Sequence, residues 1–152
     1  DHWKSTLVHY LRKRGSSLRG IFHLVSAEAI AKRRVLTDID MEIAKLAQEL
    51  EVEYTLVLTK VDNLKNKNGT WAVMVLRKFL KESGLFINHA VTSSIKTRRG
   101  RDQLWARLWS CVDPENPRWT GPDLLDAKEA LDELAGSGAG EELAARAADL
   151  EG

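Results

Sequence analysis

The chain has 152 residues, 43% of them hydrophobic and 30% charged, enough for one sizeable core. A single cysteine, Cys111, excludes an internal disulfide and a cysteine-based metal cluster, and no apolar run approaches the roughly 18 residues that read as a membrane span, so no membrane partner is expected. The formal net charge of +1 hides an asymmetry: residues 1–112 hold 20 Lys/Arg against 11 Asp/Glu, and residues 113–152 hold 3 against 11. The basic body suits phosphate; the acidic tail does not.

In chain order, residues 2–14 read as a helix with Trp3, Leu7, Tyr10 and Leu11 at spacings of three and four, ended by Gly15-Ser16-Ser17. Residues 18–25 are the first strand. Its near-continuous apolar side chains, Ile21, Phe22, Leu24 and Val25, predict a central position in a sheet. His23 reads as a core or inter-element histidine, because no second His, Cys or carboxylate stands at metal-ligand spacing. Residues 26–36 read as a long basic loop. Thr37 is a good N-cap, with Asp38 and Asp40 in the first turn, and Ile39, Ile43, Leu46, Ala47 and Leu50 form the stripe of a covering helix.

Residues 54–59 are the second strand, and 63–69 a polar loop carrying Lys65 and Lys67. Thr70 is expected to cap the next helix, with Trp71, Val75, Leu76, Phe79 and Leu80 inward. Residues 86–91 are the third strand, and 100–112 the third covering helix, using Leu104, Trp105, Leu108 and Trp109. Strand and helix alternating three times predicts an α/β fold, a parallel sheet with right-handed crossovers and covering helices. Beyond 113–117 the character changes: a helix is expected over 122–134 on Leu124, Leu125, Leu131 and Leu134, and a second over 141–150. Between them Gly136-Ser137-Gly138-Ala139-Gly140 has linker composition. Residues 113–152 thus form an acidic helical C-terminal extension to a body of residues 1–112.

Two strand ends carry the chemistry. The second strand stops in Thr59-Lys60-Val61-Asp62, which places a lysine stem and a carboxylate at the carboxyl edge of the sheet, where open α/β sheets bind ligands. Such a carboxylate accepts two parallel hydrogen bonds from the ring N–H and exocyclic amine of guanine, and adenine offers no such pair. The third strand leads into Thr92-Ser93-Ser94-Ile95-Lys96. There the turn presents the Ile95 backbone N–H to the guanine carbonyl oxygen, and the stems of Lys60 and Lys96 clamp the ring. Either string alone arises by chance; together, at consecutive strand ends, they describe a guanine site.

With these motifs, Trp3 with Tyr10-Leu11-x-x-Arg14, Leu18-Arg19-Gly20-Ile21, Leu36-Thr37-x-x-Asp40 and Gly100-Arg101-Asp102-Gln103-Leu104 make the chain resemble the second half of an EngB/YihA-type GTPase. That family is a ribosome-assembly branch of the translation-factor-related, P-loop GTPases, and the resemblance covers about 110 of the 152 residues. It implies GTP or GDP as ligand, Mg²⁺ in the complete protein, and ribosomal RNA and a large-subunit assembly intermediate as partners. It implies no oligomer away from the ribosome. Ser26 departs from the pattern, standing where the family usually has an aspartate.

The phosphate-binding half is not in these residues. No G-x-x-x-x-G-K-[ST] occurs, Gly15 to Gly20 runs on into Ile21-Phe22, Trp3 precedes Lys4-Ser5-Thr6, and Glu141-Glu142 follows the glycine-rich stretch. Asp1 is not an initiator methionine, so a part of a longer protein is expected, with the phosphate half upstream. This segment alone is therefore not expected to hydrolyse GTP, and it holds neither catalytic residues nor metal ligands.

Four basic clusters are candidate RNA contacts if they share a surface: Arg12-Lys13-Arg14, Lys32-Arg33-Arg34, Lys65 with Lys67, and Arg98-Arg99 with Arg101. A GTPase-derived, non-hydrolysing scaffold on ribosomal RNA is the alternative reading. The departures and the acidic tail point to an organelle, a mitochondrion ahead of a plastid, over a bacterial cytoplasm.

Overall fold

The computed structural model describes residues 2–64, 68–84, 87, 89–116 and 127–136. The Lys65/Lys67 pair, residues 85, 86 and 88, the expected helix start at 122–126, and the expected linker and second tail helix lie outside them.

Helix α1 (His2–Arg14) buries no residue, with Trp3 and Tyr10 at least half exposed. It is held by the ion pairs Lys4–Glu42 and Arg12–Glu49 to α3 (Asp38–Glu49). Strand β1 (Gly20–Ser26) pairs in parallel with β2 (Glu53–Thr59) from Gly20↔Glu53 to Ser26↔Thr59. β2 in turn pairs in parallel with β3 (His89–Thr92) from Thr55↔His89 to Leu58↔Thr92. The result is an α/β fold with a three-stranded parallel sheet flanked by helices, consistent with a P-loop GTPase-like architecture.

The sheet order β1-β2-β3 corrects the expectation of a central first strand: among the described residues β1 is an edge and β2 is central. Leu56, Val57 and Leu58 of β2 are all buried, whereas Leu24 of β1 is 65% exposed. The apolar run was a sound sign of a strand, but which neighbours a strand has is set by distant segments, not by its own composition.

Residues 26–36 also differ from expectation. Ala27–Arg33 form helix α2, whose alanines, Glu28 and Lys32 favour helix. The Ser26 side chain caps it by accepting from the Ala29 N–H (3.2 Å), and Arg34 ends it in the left-handed region at φ 56°. Thr37 caps α3 as expected, in a capping box closed by Asp40.

Helix α4 (Asn68–Ser83) begins two residues before Thr70, so Thr70 lies inside the first turn and does not cap it. Ala72, Val73, Leu76 and Phe79 form its buried face; Trp71, Val75 and Leu80 sit at the margin. Helix α5 (Arg101–Val112) buries Ala106, while Trp105, expected inward, is 61% exposed. Helix α6 (Ala127–Gly136) packs on α4 and β3, and its Ala130, Leu131 and Leu134 join the core built by β1, β2, α2 and α4.

Candidate functional site

At the carboxyl edge of the sheet the two motif-bearing turns are joined through their backbones. Ser93 N–H donates to Leu58 C=O (2.7 Å) and Val61 N–H donates to Ser93 C=O (3.3 Å). Lys60 adopts the left-handed conformation (φ 59°, ψ 34°), which a lysine rarely takes, and that turns the chain from β2 into the 3₁₀ turn Val61–Asn63. Val61 is buried and anchors the turn, so Asp62 is held at its position while Lys60 remains exposed.

The Ser94 hydroxyl donates to the Asp62 carboxylate. With the Asp62 backbone N–H and the Lys96 ammonium, it outweighs partial burial and holds the Asp62 carboxyl below the usual carboxylate range. Asp62 is thus an anion at neutral pH. Lys96 Nζ lies 3.7 Å from Asp62 Oδ2, with the lysine side chain 77% exposed and the aspartate 14%. The structure therefore brings Asp62, Ser94 and Lys96 into one place.

Ile95 is 98% exposed, and no acceptor among the described residues takes its backbone N–H. Ser94 Oγ accepts from Thr97 N–H (3.2 Å), folding residues 94–97 into a tight turn. Thr59 Oγ1 donates to Val25 C=O (3.4 Å), and Thr92 Oγ1 accepts from Arg99 Nε (3.2 Å), so both threonines brace the strand ends. A groove of about 590 Å³ runs from Ser93, Ser94 and Ile95 along Leu104, Trp105 and Leu108; Asp62 does not line it.

One support of the turn has no spacing signal in the sequence. Asn63 Nδ2 donates to Glu28 Oε2 (2.9 Å) from α2, and the Lys32 ammonium together with that bond keeps the Glu28 carboxyl below its ordinary value. Behind the sheet, His23 bridges elements as expected: Nδ1 meets the Tyr54 hydroxyl at 2.6 Å and Nε2 meets Asp40 Oδ1 at 2.9 Å. Burial would raise the Asp40 carboxyl, but hydrogen bonds from His23 and Thr37 prevail and hold it at about 2. Burial and the Asp40 charge push the Tyr54 hydroxyl the other way. This network fastens β1, β2 and α3 together. Burial and Glu53 raise the Cys111 thiol, which leaves it a protonated packing group and a poor nucleophile.

The basic clusters do not share one surface. Arg12 pairs with Glu49 just before β2 begins, at the amino edge of the sheet, whereas Arg98 and Arg101 flank the turn at its carboxyl edge. The seven-residue strands between these edges are about 20 Å long. Lys32 pairs with Glu28, the Arg34 guanidinium lies 4.0 Å over the Trp71 ring, and Arg99 points inward to Thr92. Lys13, Arg14 and Arg33 are exposed.

Among the described residues no group of three His, Cys, Asp or Glu side chains could hold a metal ion, and the Asp62 carboxylate is engaged by Ser94 and Lys96. The described residues do not fit Mg²⁺. No helix among them is long and apolar enough to cross a membrane.

No family model matches the chain. It is similar to several curated proteins described as probable GTP-binding protein EngB. That of Hydrogenovibrio crunogenus is 29% identical over 125 residues, 82% of this chain and 56% of the relative. That of Vibrio parahaemolyticus is 28% identical over 133 residues, 88% and 58% respectively. That of Vibrio vulnificus strain CMCP6 is 31% identical over 108 residues, 71% and 47%. The chain spans about half the length of the curated relatives it matches.

Proposed function

For a chain that resembles EngB-type GTP-binding proteins along most of its length, we propose that these residues supply the base-recognition part of a guanine-nucleotide-binding protein. The observation that carries this reading is the backbone splice between the two strand-end turns, which sets an ionised Asp62 beside Ser94, Lys96 and an unpaired Ile95 N–H. In the proposed complex Asp62 accepts from the ring N–H and the exocyclic amine of guanine, and Ile95 N–H donates to the ring carbonyl. Lys96, largely exposed, leaves Asp62 to lie over one face of the base while the Lys60 stem covers the other.

Specificity follows from the donor pattern. An adenine ring would leave the carboxylate facing a ring nitrogen acceptor, and unpaired polar groups in a site built for hydrogen bonds are rejected strongly. Nucleotide hydrolysis would need phosphate-binding groups beyond those described here. The proposed setting is assembly of the large ribosomal subunit, with ribosomal RNA as partner. Exposed Arg98 and Arg101 beside the base turn are the residues that support it, and affinity for RNA would fall as salt rises.

The test is Asp62→Asn in the full chain, with guanosine and xanthosine binding followed by titration calorimetry. Two charge-assisted bonds at roughly 1.5–3 kcal/mol each make the expected loss for guanosine about a hundredfold or more. Xanthosine, which carries a carbonyl in place of the amine, should gain because the amide donates where the carboxylate could only accept. An unchanged preference between the two nucleosides would refute the reading.

A further inference from the structure

The loop that would meet the guanine carbonyl is closed at its back by Arg99. Ser94 N–H donates to Arg99 C=O (3.1 Å), and Arg99 Nε donates to Thr92 Oγ1 (3.2 Å), so backbone and side chain of Arg99 together pin the start of the turn to its end. The guanidinium also reaches out of the loop, with Arg99 Nη2 lying 3.3 Å from Glu133 Oε1 on α6, an ion-pair distance without hydrogen-bond alignment, so the attraction between them is coulombic. A cavity of about 130 Å³, lined by Thr92, Arg99, Gln103, Arg107 and Glu133, separates α6 from the loop, so this ion pair is a strut across it.

The helix end of the strut is anchored in the core. Leu131 and Leu134, on either side of Glu133, are 4% and 2% exposed, and the intervening Asp132 pairs with Arg77 of α4. The Leu134 carbonyl also lies so near Gly69 that a β-carbon there would come within 2.8 Å of it. The carboxylate of Glu133 therefore stands on a fixed backbone. Arg99, by contrast, belongs to a loop with two residues, Arg98 and Gly100, in the left-handed region.

We propose that Glu133 is a positioning residue for the base loop: by holding the Arg99 guanidinium, it sets the conformation of residues 93–96 and so the affinity for the base carbonyl. This rests on the guanine reading above, but the clamp itself is a property of the protein without ligand. It couples α6, in the acidic part of the sequence, to the end of the sheet where the base is read.

Two variants of the full chain test it. Glu133→Gln keeps size and one acceptor but removes the charge, and Glu133→Arg reverses it. Both sit on an exposed carboxylate, so the urea midpoint should be unchanged while the Ser94 amide exchanges its hydrogen faster. Exposed ion pairs set the scale: about two- to fivefold weaker guanosine binding for Glu133→Gln and more for Glu133→Arg. Inosine retains the carbonyl and lacks the amine, so its binding should weaken by the same factor as guanosine, a ratio that a general loosening around Asp62 would change. Adding Arg99→Ala to Glu133→Gln should bring less loss than the two single losses combined.

Unchanged Ser94 exchange in Glu133→Arg overturns the proposal, and so does a faster exchange spread evenly over all amides with a lower urea midpoint. Faster exchange confined to the loop in a chain that binds neither nucleoside would sustain the clamp and overturn the guanine reading instead.

Discussion

Gly100 sits at the junction between the base loop and α5, at φ 75°, and a β-carbon built there would lie 2.0 Å from Thr92 C=O oxygen and 3.2 Å from Val91 Cγ1. Replacing it with alanine imposes two costs. An L-residue in the left-handed region loses about 1–2 kcal/mol. The approach to a backbone oxygen at the end of β3 cannot be relieved by turning a side chain, so the strand end or the loop must shift, which adds about 1–3 kcal/mol by the scale of overpacked interiors.

Gly84 is the internal control. At φ 64° with no described residue within 4 Å of its hypothetical β-carbon, it carries only the first cost. Urea unfolding of the two variants at equal m-value should place Gly100→Ala about 1–3 kcal/mol below Gly84→Ala. That difference is a sizeable share of the 5–15 kcal/mol typical of a domain. The same variant should disturb the loop amides from Ser93 to Arg99. Equal destabilisation of the two variants would show that the loop does not fold back on Thr92 as described, and the geometry behind the base site would fall with it.

Two further predictions follow from burial and charge. Asp40, at about 2 in the folded protein against an ordinary 3.8, contributes stability that is present above pH 4 and is lost as pH falls from there through the folded value. Discounted for partial exposure, this is about 1–2 kcal/mol, so the stability gap between wild type and Asp40→Asn should narrow between pH 4 and pH 2; a constant gap would remove the His23–Asp40 link. Leu58→Ala, at a fully buried position of β2, should cost about 2–5 kcal/mol in chemical denaturation, and Leu24→Ala on β1 should stay within about 0.5 kcal/mol. Similar costs at the two sites would contradict the open face on which Leu24 stands.

The alternation of strands and helices, the cap at Thr37 and the two strand-end strings that the guanine reading uses are all legible in the residues alone. Each is a local signal: a period of apolar residues, a side chain within three positions of the N–H it satisfies, or a turn adjoining a strand. That His23 is a structural histidine and not a metal ligand was legible from the lack of metal spacing, but its bridge to Tyr54 and Asp40 was not.

Long-range packing sets which of the described strands is central, which arginine faces solvent and which is committed inside, and that α6 shares the core of the body. Leu24 and Leu58 look alike in sequence and differ from 65% to 0% exposed, because exposure depends on what pairs with and packs on each strand from far along the chain. Glu28, 35 residues from Asn63, and Glu133, 34 residues from Arg99, have no periodic relation to the groups they hold. Such contacts are fixed by how the crossovers close over the sheet, and composition carries no trace of them.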